Sequence, residues 1–269
     1  MTSSKLRAFL RLLVYVSFTV ALMPLQAIFV RLGSRWADRM PRWYHAVCCR
    51  IFGLAVVVRG APSADRPTLF VSNHLSYLDI TVISALTPVS FVAKREVASW
   101  PFFGWLAKLQ RTVFVGRDRR NVHDERDSVA GALTAGRNLV LFPEATSYDG
   151  IRIKPFKSAL LAVAEIAPDG RPLTVQPMTI TYTRIDTMPM GRNLRPLFAW
   201  YGAMELVEHL WVAMGIGRAT VEVEFHEPVT FARFGSRKAL TQHCESVIGR
   251  ALSEINAGRR TAAKARPSS

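Results

Sequence analysis

This sequence is short of acidic residues relative to basic ones, and it has few cysteines. Its 269 residues include 20 Asp and Glu against 35 Lys and Arg, a formal net charge of +15. A surplus this large attracts polyanions: nucleic acid, anionic lipid, or a phosphorylated or acidic partner. The three cysteines, Cys48, Cys49 and Cys244, are odd in number and so do not form a disulfide framework, and adjacent Cys48 and Cys49 lack zinc-ligand spacing. They read as small buried hydrophobes on a reducing, cytosolic side. The Gly-x-Ser-x-Gly elbow of a serine hydrolase is missing, as are helix-turn-helix, zinc-finger and aromatic RNA-binding signatures and any internal repeat. Nucleic acid is therefore not the expected partner. With 49% apolar and 20% charged residues, the chain reads as one sizeable folded domain with an appendage.

Long uncharged runs are scarce too, but one is present. Residues 12–30, LLVYVSFTVALMPLQAIFV, carry no charge and are just long enough to span a bilayer, with Pro24 as a kink. Leu25-Gln26-Ala27 is a poor cleavage site for a signal peptide. A spanning helix and a kinked, partly inserted anchor both remain open, because Lys5, Arg7 and Arg11 before the run and Arg31, Arg35, Arg39 and Arg42 after it give no clean orientation. Residues 34–52 then interleave arginines with Trp36, Trp43 and Tyr44, the pattern of a basic amphipathic helix at the headgroup level.

After Gly53 short apolar runs alternate with helical stretches. Strands are expected at 54–59, 68–72, 90–93, 112–115, 138–142, 173–181 and 220–225, and helices at 76–86, 100–108, 122–135, 156–166 and 237–256. Several strands are continuous Val, Leu and Phe runs, as in sheets buried on both faces. The fold class is α/β, helices around a mixed, largely parallel sheet. The expected organisation is an N-terminal membrane element at 1–52, a catalytic domain at 53–257 and a basic disordered tail at 258–269.

Two strands run into polar clusters. The first is Asn73-His74-Leu75-Ser76-Tyr77-Leu78-Asp79. Ser76-x-x-Asp79 has the form of a capping box, and Asp79 is equally suited to hold His74 in one tautomer so that the other ring nitrogen takes a proton. The second is Phe142-Pro143-Glu144-Ala145-Thr146-Ser147, closed by a turn at Asp149-Gly150. Between them Val113-Phe114-Val115-Gly116-Arg117 ends in a residue suited to bidentate phosphate binding.

In this order the three clusters resemble the motifs of the 1-acylglycerol-3-phosphate (lysophospholipid) acyltransferase family, over roughly residues 53–231. The resemblance implies a glycerolipid acyltransferase fold with His74 as general base and Asp79 as its orienting partner. It places Arg117, Glu144 and Thr146 at the acceptor headgroup, and Pro177 in a fourth motif on the acyl side. It further implies acyl transfer from acyl-CoA or acyl carrier protein to a lysolipid hydroxyl, with no bound cofactor or metal, on the cytoplasmic face of a bacterial inner membrane. Lysophosphatidate is the first acceptor it suggests. A narrower similarity, carried by Pro41-Arg42-Trp43-Tyr44-His45, Val175-Gln176-Pro177, Tyr182-Thr183-Arg184 and Met188-Pro189-Met190-Gly191-Arg192, is to bacterial lyso-ornithine lipid acyltransferases and their close lysophosphatidate-using relatives. A non-catalytic membrane scaffold would keep the anchor but would not need His74 with Asp79. Two departures stand out: Ala145 and Arg111 occupy positions where the family commonly has glycine. Thr146 is followed by Ser147, where the family commonly has an arginine or a hydroxyl residue.

Overall fold

A computed structural model describes residues 3–116 and 122–260. Helix α1 (Lys5–Arg31) and helix α2 (Trp36–Phe52) precede a sheet assembled from strands β1 (Leu54–Arg59), β2 (Thr68–Ser72), β3 (Ser90–Lys94), β4 (Val113–Val115), β5 (Leu139–Leu141), β6 (Thr174–Ile185) and β8 (Ala219–Phe225). Their order across the sheet is β1-β8-β6-β2-β5-β3-β4, and two short strands, β7 (Met188–Pro189) and β9 (Val229–Thr230), add to β6. Pairings along β6-β2-β5-β3-β4 are parallel, whereas β6 and β8 run antiparallel. The sheet is mixed and largely parallel.

Alternation in the central strands divides the core. Phe70, Phe91 and Val140 face a layer built from α1, α2, helix α3 (Leu78–Leu86) and helix α6 (Leu206–Gly215). Leu69, Val71, Leu139 and Val175 face the opposite layer, which holds helix α5 (Val122–Thr134) and helix α7 (Arg237–Asn256). A strand covered on both faces has no polar side to show, hence the unbroken apolar runs. Helix α4 (Phe103–Leu109) joins β3 to β4 beside α1. Residues 158–165 form a 3-10 run where an α-helix was expected, and α6 was not foreseen.

The anchor helix is inverted in its amphipathicity. Its inward stripe is Ala8, Tyr15, Thr19 and Gln26, while Leu6, Phe9, Leu10, Leu13 and Leu25 are exposed. At 27 residues it is roughly 40 Å long. Its N-terminal end is tied to the body: Arg11 donates to the carbonyls of Met214 (3.0 Å), Ile216 (2.7 Å) and Gly217 (3.1 Å). These lie at the C-terminus of α6, where unsatisfied carbonyls and the helix dipole favour a cation. Further along, the Thr19 and Tyr44 hydroxyls meet at 2.8 Å, and Gln26 donates to the carbonyls of Ala37 and Leu109. The helix thus lies along the folded body rather than projecting from it.

Arg260, in the stretch expected to be a loose tail, instead pairs with Glu224 and with Glu254.

Candidate active site

Strand β2 delivers His74 to the carboxyl end of the parallel strands, the end where open α/β sheets hold ligands. Asn73 secures the exit from the strand: its side-chain oxygen accepts from the Ile180 amide (3.0 Å) and its amide donates to the Ile180 carbonyl (2.9 Å). His74 Nδ1 lies 2.9 Å from Asp79 Oδ2. The same oxygen accepts from the amides of Leu75 (2.6 Å) and Ser76 (3.0 Å), and Oδ1 receives the Tyr182 hydroxyl at 3.4 Å. Asp79 therefore caps the start of α3 and orients the imidazole at once, so the two sequence readings are one arrangement. Its carboxylate is fully buried, while a fifth of the His74 side chain is exposed. With Nδ1–H donated to Asp79, Nε2 is left as the ring's acceptor. Phe142 stacks on the imidazole at 4.0 Å, fixing its plane.

Glu144 is brought to His74 through the backbone. One carboxylate oxygen accepts from the His74 amide (2.9 Å), the other from the Lys154 amide (2.7 Å), and the residue is 3% exposed. Both oxygens are engaged and face inward. Burial pushes this carboxyl up to about 7, opposed by the two amide hydrogen bonds. Thr146 is exposed at the surface of the same loop. Ser147 turns inward, donating its hydroxyl to the Trp200 carbonyl. The loop is closed against His74 by the Tyr148 amide, which donates to the His74 carbonyl at 2.9 Å, and Lys154 Nζ lies 4.6 Å above the Tyr148 ring. Arg117 lies outside the described residues.

The two positions where glycine is the family habit have a common geometry. Ala145 has φ +59° and Arg111 φ +57°, both left-handed. Glycine enters this region freely and other residues do so at a cost. At Arg111 an ion pair to Asp38 of α2 accompanies the strained backbone.

An apolar cavity of about 210 Å³ lies between α1, α2, α3, α4 and α6. Tyr15, Tyr44, Leu78, Phe91, Trp100 and Leu210 are among its walls. Phe91 stacks on Phe142 at 6.2 Å, and Phe142 on His74, so one ring separates the cavity from the imidazole. Trp100, Phe103 and Leu106 also line the cavity, while Trp105 is exposed. Pro177 stands opposite Val71 inside the sheet. Burial pushes all three cysteine thiols up to about 12, so they are inert at neutral pH.

Sequence reasoning gave Tyr182 no role in the site and did not assemble the cavity walls. Tyr182 lies 103 positions from Asp79, and the β2–β6 pairing brings the two together. Tyr15, Tyr44 and Leu210 come from three separate helices.

A family model described as Acyltransferase matches residues 55–181. The lyso-ornithine lipid O-acyltransferase of Brucella abortus is 42% identical over 259 residues, covering 94% of this chain and 97% of its own. The protein of that name from Rhizobium meliloti is 41% identical over 95% of this chain and 89% of its own. The 1-acyl-sn-glycerol-3-phosphate acyltransferase of Neisseria gonorrhoeae is 34% identical, over 71% of this chain and 72% of its own. The crystal structure of the 1-acyl-sn-glycerophosphate acyltransferase from Thermotoga maritima superposes with a TM-score of 0.70 at 22% identity, covering 96% of both chains.

Proposed function

We propose, from the premise that this chain belongs to the acyltransferase family, that it esterifies the hydroxyl of a lyso-ornithine lipid with a fatty acyl group carried as a thioester. The observation that carries the chemistry is the His74–Asp79 pair, its Nε2 an acceptor one ring from an apolar cavity. In this reading Nε2 takes the proton of the acceptor hydroxyl as its oxygen attacks the thioester carbonyl. The O–C bond forms, the C–S bond breaks, and the proton passes from the imidazolium to the departing thiolate. The buried Asp79 carboxylate stabilises the imidazolium between these two transfers. The acceptor is itself the nucleophile, so no acyl-enzyme on serine or cysteine is needed.

The choice of acceptor reverses the order that the motifs suggested. The sequence relatives that match nearly the whole chain, at 41–42% identity, carry the lyso-ornithine name, whereas the Neisseria gonorrhoeae protein named for lysophosphatidate is 34% identical over about seven-tenths of it. The inward-facing Ser147 supports the same choice, because position 147 presents no cation to a phosphate. In this reading exposed Thr146, with Arg117, meets the headgroup. Glu144 acts through the backbone of His74 as a positioning residue. The cavity holds the acyl chain. The donor is acyl-CoA or acyl carrier protein, whose acidity suits the net charge of +15. The enzyme works at the cytoplasmic face of the inner membrane, held there by the outward apolar side of α1 and the arginines of α2.

Purified protein given labelled acyl carrier protein or acyl-CoA, with lyso-ornithine lipid and lysophosphatidate in competition, tests this. We expect ornithine lipid as the dominant product. Dominant phosphatidate would restore the first-suggested acceptor, and an absence of both products would overturn the proposal.

A further inference from the structure

His74 and Leu75 leave strand β2 with no sheet partner of their own, yet every backbone polar group of the pair is held. The His74 amide donates to Glu144, and the His74 carbonyl accepts from the Tyr148 amide at 2.9 Å. The Leu75 amide donates to Asp79, and the Leu75 carbonyl accepts from the Trp200 amide at 2.8 Å. Three of these four tethers come from the two polar clusters and the loop that follows the second. The fourth comes from Trp200, far along the chain in the stretch that leads into α6.

Trp200 also closes a circuit. Its carbonyl accepts from the Ser147 hydroxyl, and Ser147 adjoins Tyr148, which holds His74. The main chain of one residue thus fastens the turn that bears the base to the 142–150 loop. The indole is engaged as well. Its Nε1 donates to the Met204 carbonyl at 2.8 Å, and its ring meets Tyr77 and Trp100 edge-on at 6.1 and 6.0 Å. Tyr77 and Trp100 are both walls of the apolar cavity. Neighbours in the same stretch add to this joint. Phe198 stacks at 5.2 Å on Tyr182, whose hydroxyl reaches Asp79, and Tyr201 meets the Tyr148 ring at 6.2 Å. Base, loop and cavity wall therefore share one residue as their common reference. Their relative placement matters, because a shift of about 1 Å at a reacting centre can cost roughly 10²-fold in rate.

We propose that Trp200 is a positioning residue for acyl transfer. Its main chain, tied by Ser147, sets the 142–150 loop against His74, and its indole sets the cavity wall against the same imidazole. The hydroxyl at position 147 serves the register of the loop. This inference rests on the transfer reaction proposed above.

Two pairs of variants separate the main-chain tie from the ring. Ser147→Ala removes the tie to the Trp200 carbonyl and Ser147→Thr keeps a hydroxyl; Trp200→Ala removes the indole and Trp200→Phe keeps a ring. Each full-length protein, in detergent with lyso-ornithine lipid and acyl-CoA or acyl carrier protein as donor, is measured for kcat per folded molecule and for donor KM. Amide hydrogen exchange is followed in the peptides that contain Tyr148 and Trp200. For Ser147→Ala we expect kcat about tenfold lower with donor KM within about twofold, and faster exchange in both peptides. Ser147→Thr should restore most of the rate. Trp200→Ala should lower kcat and also raise donor KM, and Trp200→Phe should recover the KM. Turnover per folded molecule and donor KM unchanged in both alanine variants would overturn the proposal, since a merely structural residue would lower only the folded fraction. Unchanged exchange in Ser147→Ala would overturn it too. Faster exchange in that variant, with no transfer by the unsubstituted protein, would overturn the transfer reading and uphold the tie.

Discussion

Asp79 combines two tasks that are usually separate, and its substitution should reveal both. Its Oδ2 caps α3 through two backbone amides and holds His74 Nδ1. Asp79→Asn can keep an amide oxygen at the shared position, where it still accepts from the two backbone amides and from Nδ1–H, but it brings no negative charge to stabilise the imidazolium. We expect turnover to fall by about 10²–10⁴-fold with modest destabilisation. Combined with His74→Ala it should cause little further loss, because the two residues act as a unit. Steady-state kinetics of the two single variants and the double variant checks this. At Ala145 the left-handed backbone predicts that Ala145→Gly stabilises the protein by about 1 kcal/mol at unchanged turnover, read from denaturant midpoints. Glu144 is expected to set a pH dependence. Its folded-state value of about 7 is raised from 4.5, so its contribution to stability is full below about 4.5 and fades as pH rises through 7. Glu144→Gln cannot ionise and should lack that fade, a difference of roughly 3 kcal/mol across the window. It should also lower turnover, since the new amide faces the Lys154 N–H.

At the scale of elements, the joint between α1 and α6 is the feature most exposed to test. Arg11 makes three carbonyl contacts there, and Ser4 adds a backbone bond to Gly215. Charged hydrogen bonds of this kind contribute about 1.5–3 kcal/mol. Arg11→Ala should loosen the first turns of α1, seen as faster proteolysis near the N-terminus, while the core strands keep their hydrogen-exchange protection. Much at this scale was legible from sequence. Residues 54–59, 68–72 and 237–256 were expected with the bounds they have, because buried strands read as unbroken apolar runs and α7 has clear periodicity. Helix α6 was not legible. Its Val207, Trp211 and Val212 lie outward while His209 is buried, so its polarity is nearly the reverse of the pattern that marks a surface helix. The motif residues were readable because they are local. His74, Asp79 and the 142–150 loop each follow a strand, whereas Tyr182 and the cavity arise from pairings far apart in sequence. Glu144 was singled out by its motif, but its inward direction was not legible, because only the fold sets the His74 and Lys154 amides on either side of it.

For the molecule as a whole, the apolar outer side of α1, the exposed Trp36, Trp43 and Trp105, and the net charge of +15 favour binding to anionic membranes. Binding to anionic vesicles should weaken as salt rises, while the smaller affinity for zwitterionic vesicles should change little, since only the electrostatic part is screened. Helix α1, the cavity and the His74 imidazole follow one another inward, an order that suits the proposed meeting of a lipid acceptor and an acyl chain at one nitrogen. The central claim is that this nitrogen is the base. It is tested most directly by the rate of acyl transfer to lyso-ornithine lipid by His74→Ala against the unsubstituted protein, with folding checked by circular dichroism. A loss of at least about 10²-fold in a folded variant is predicted. A rate within a few-fold of the unsubstituted protein would contradict it.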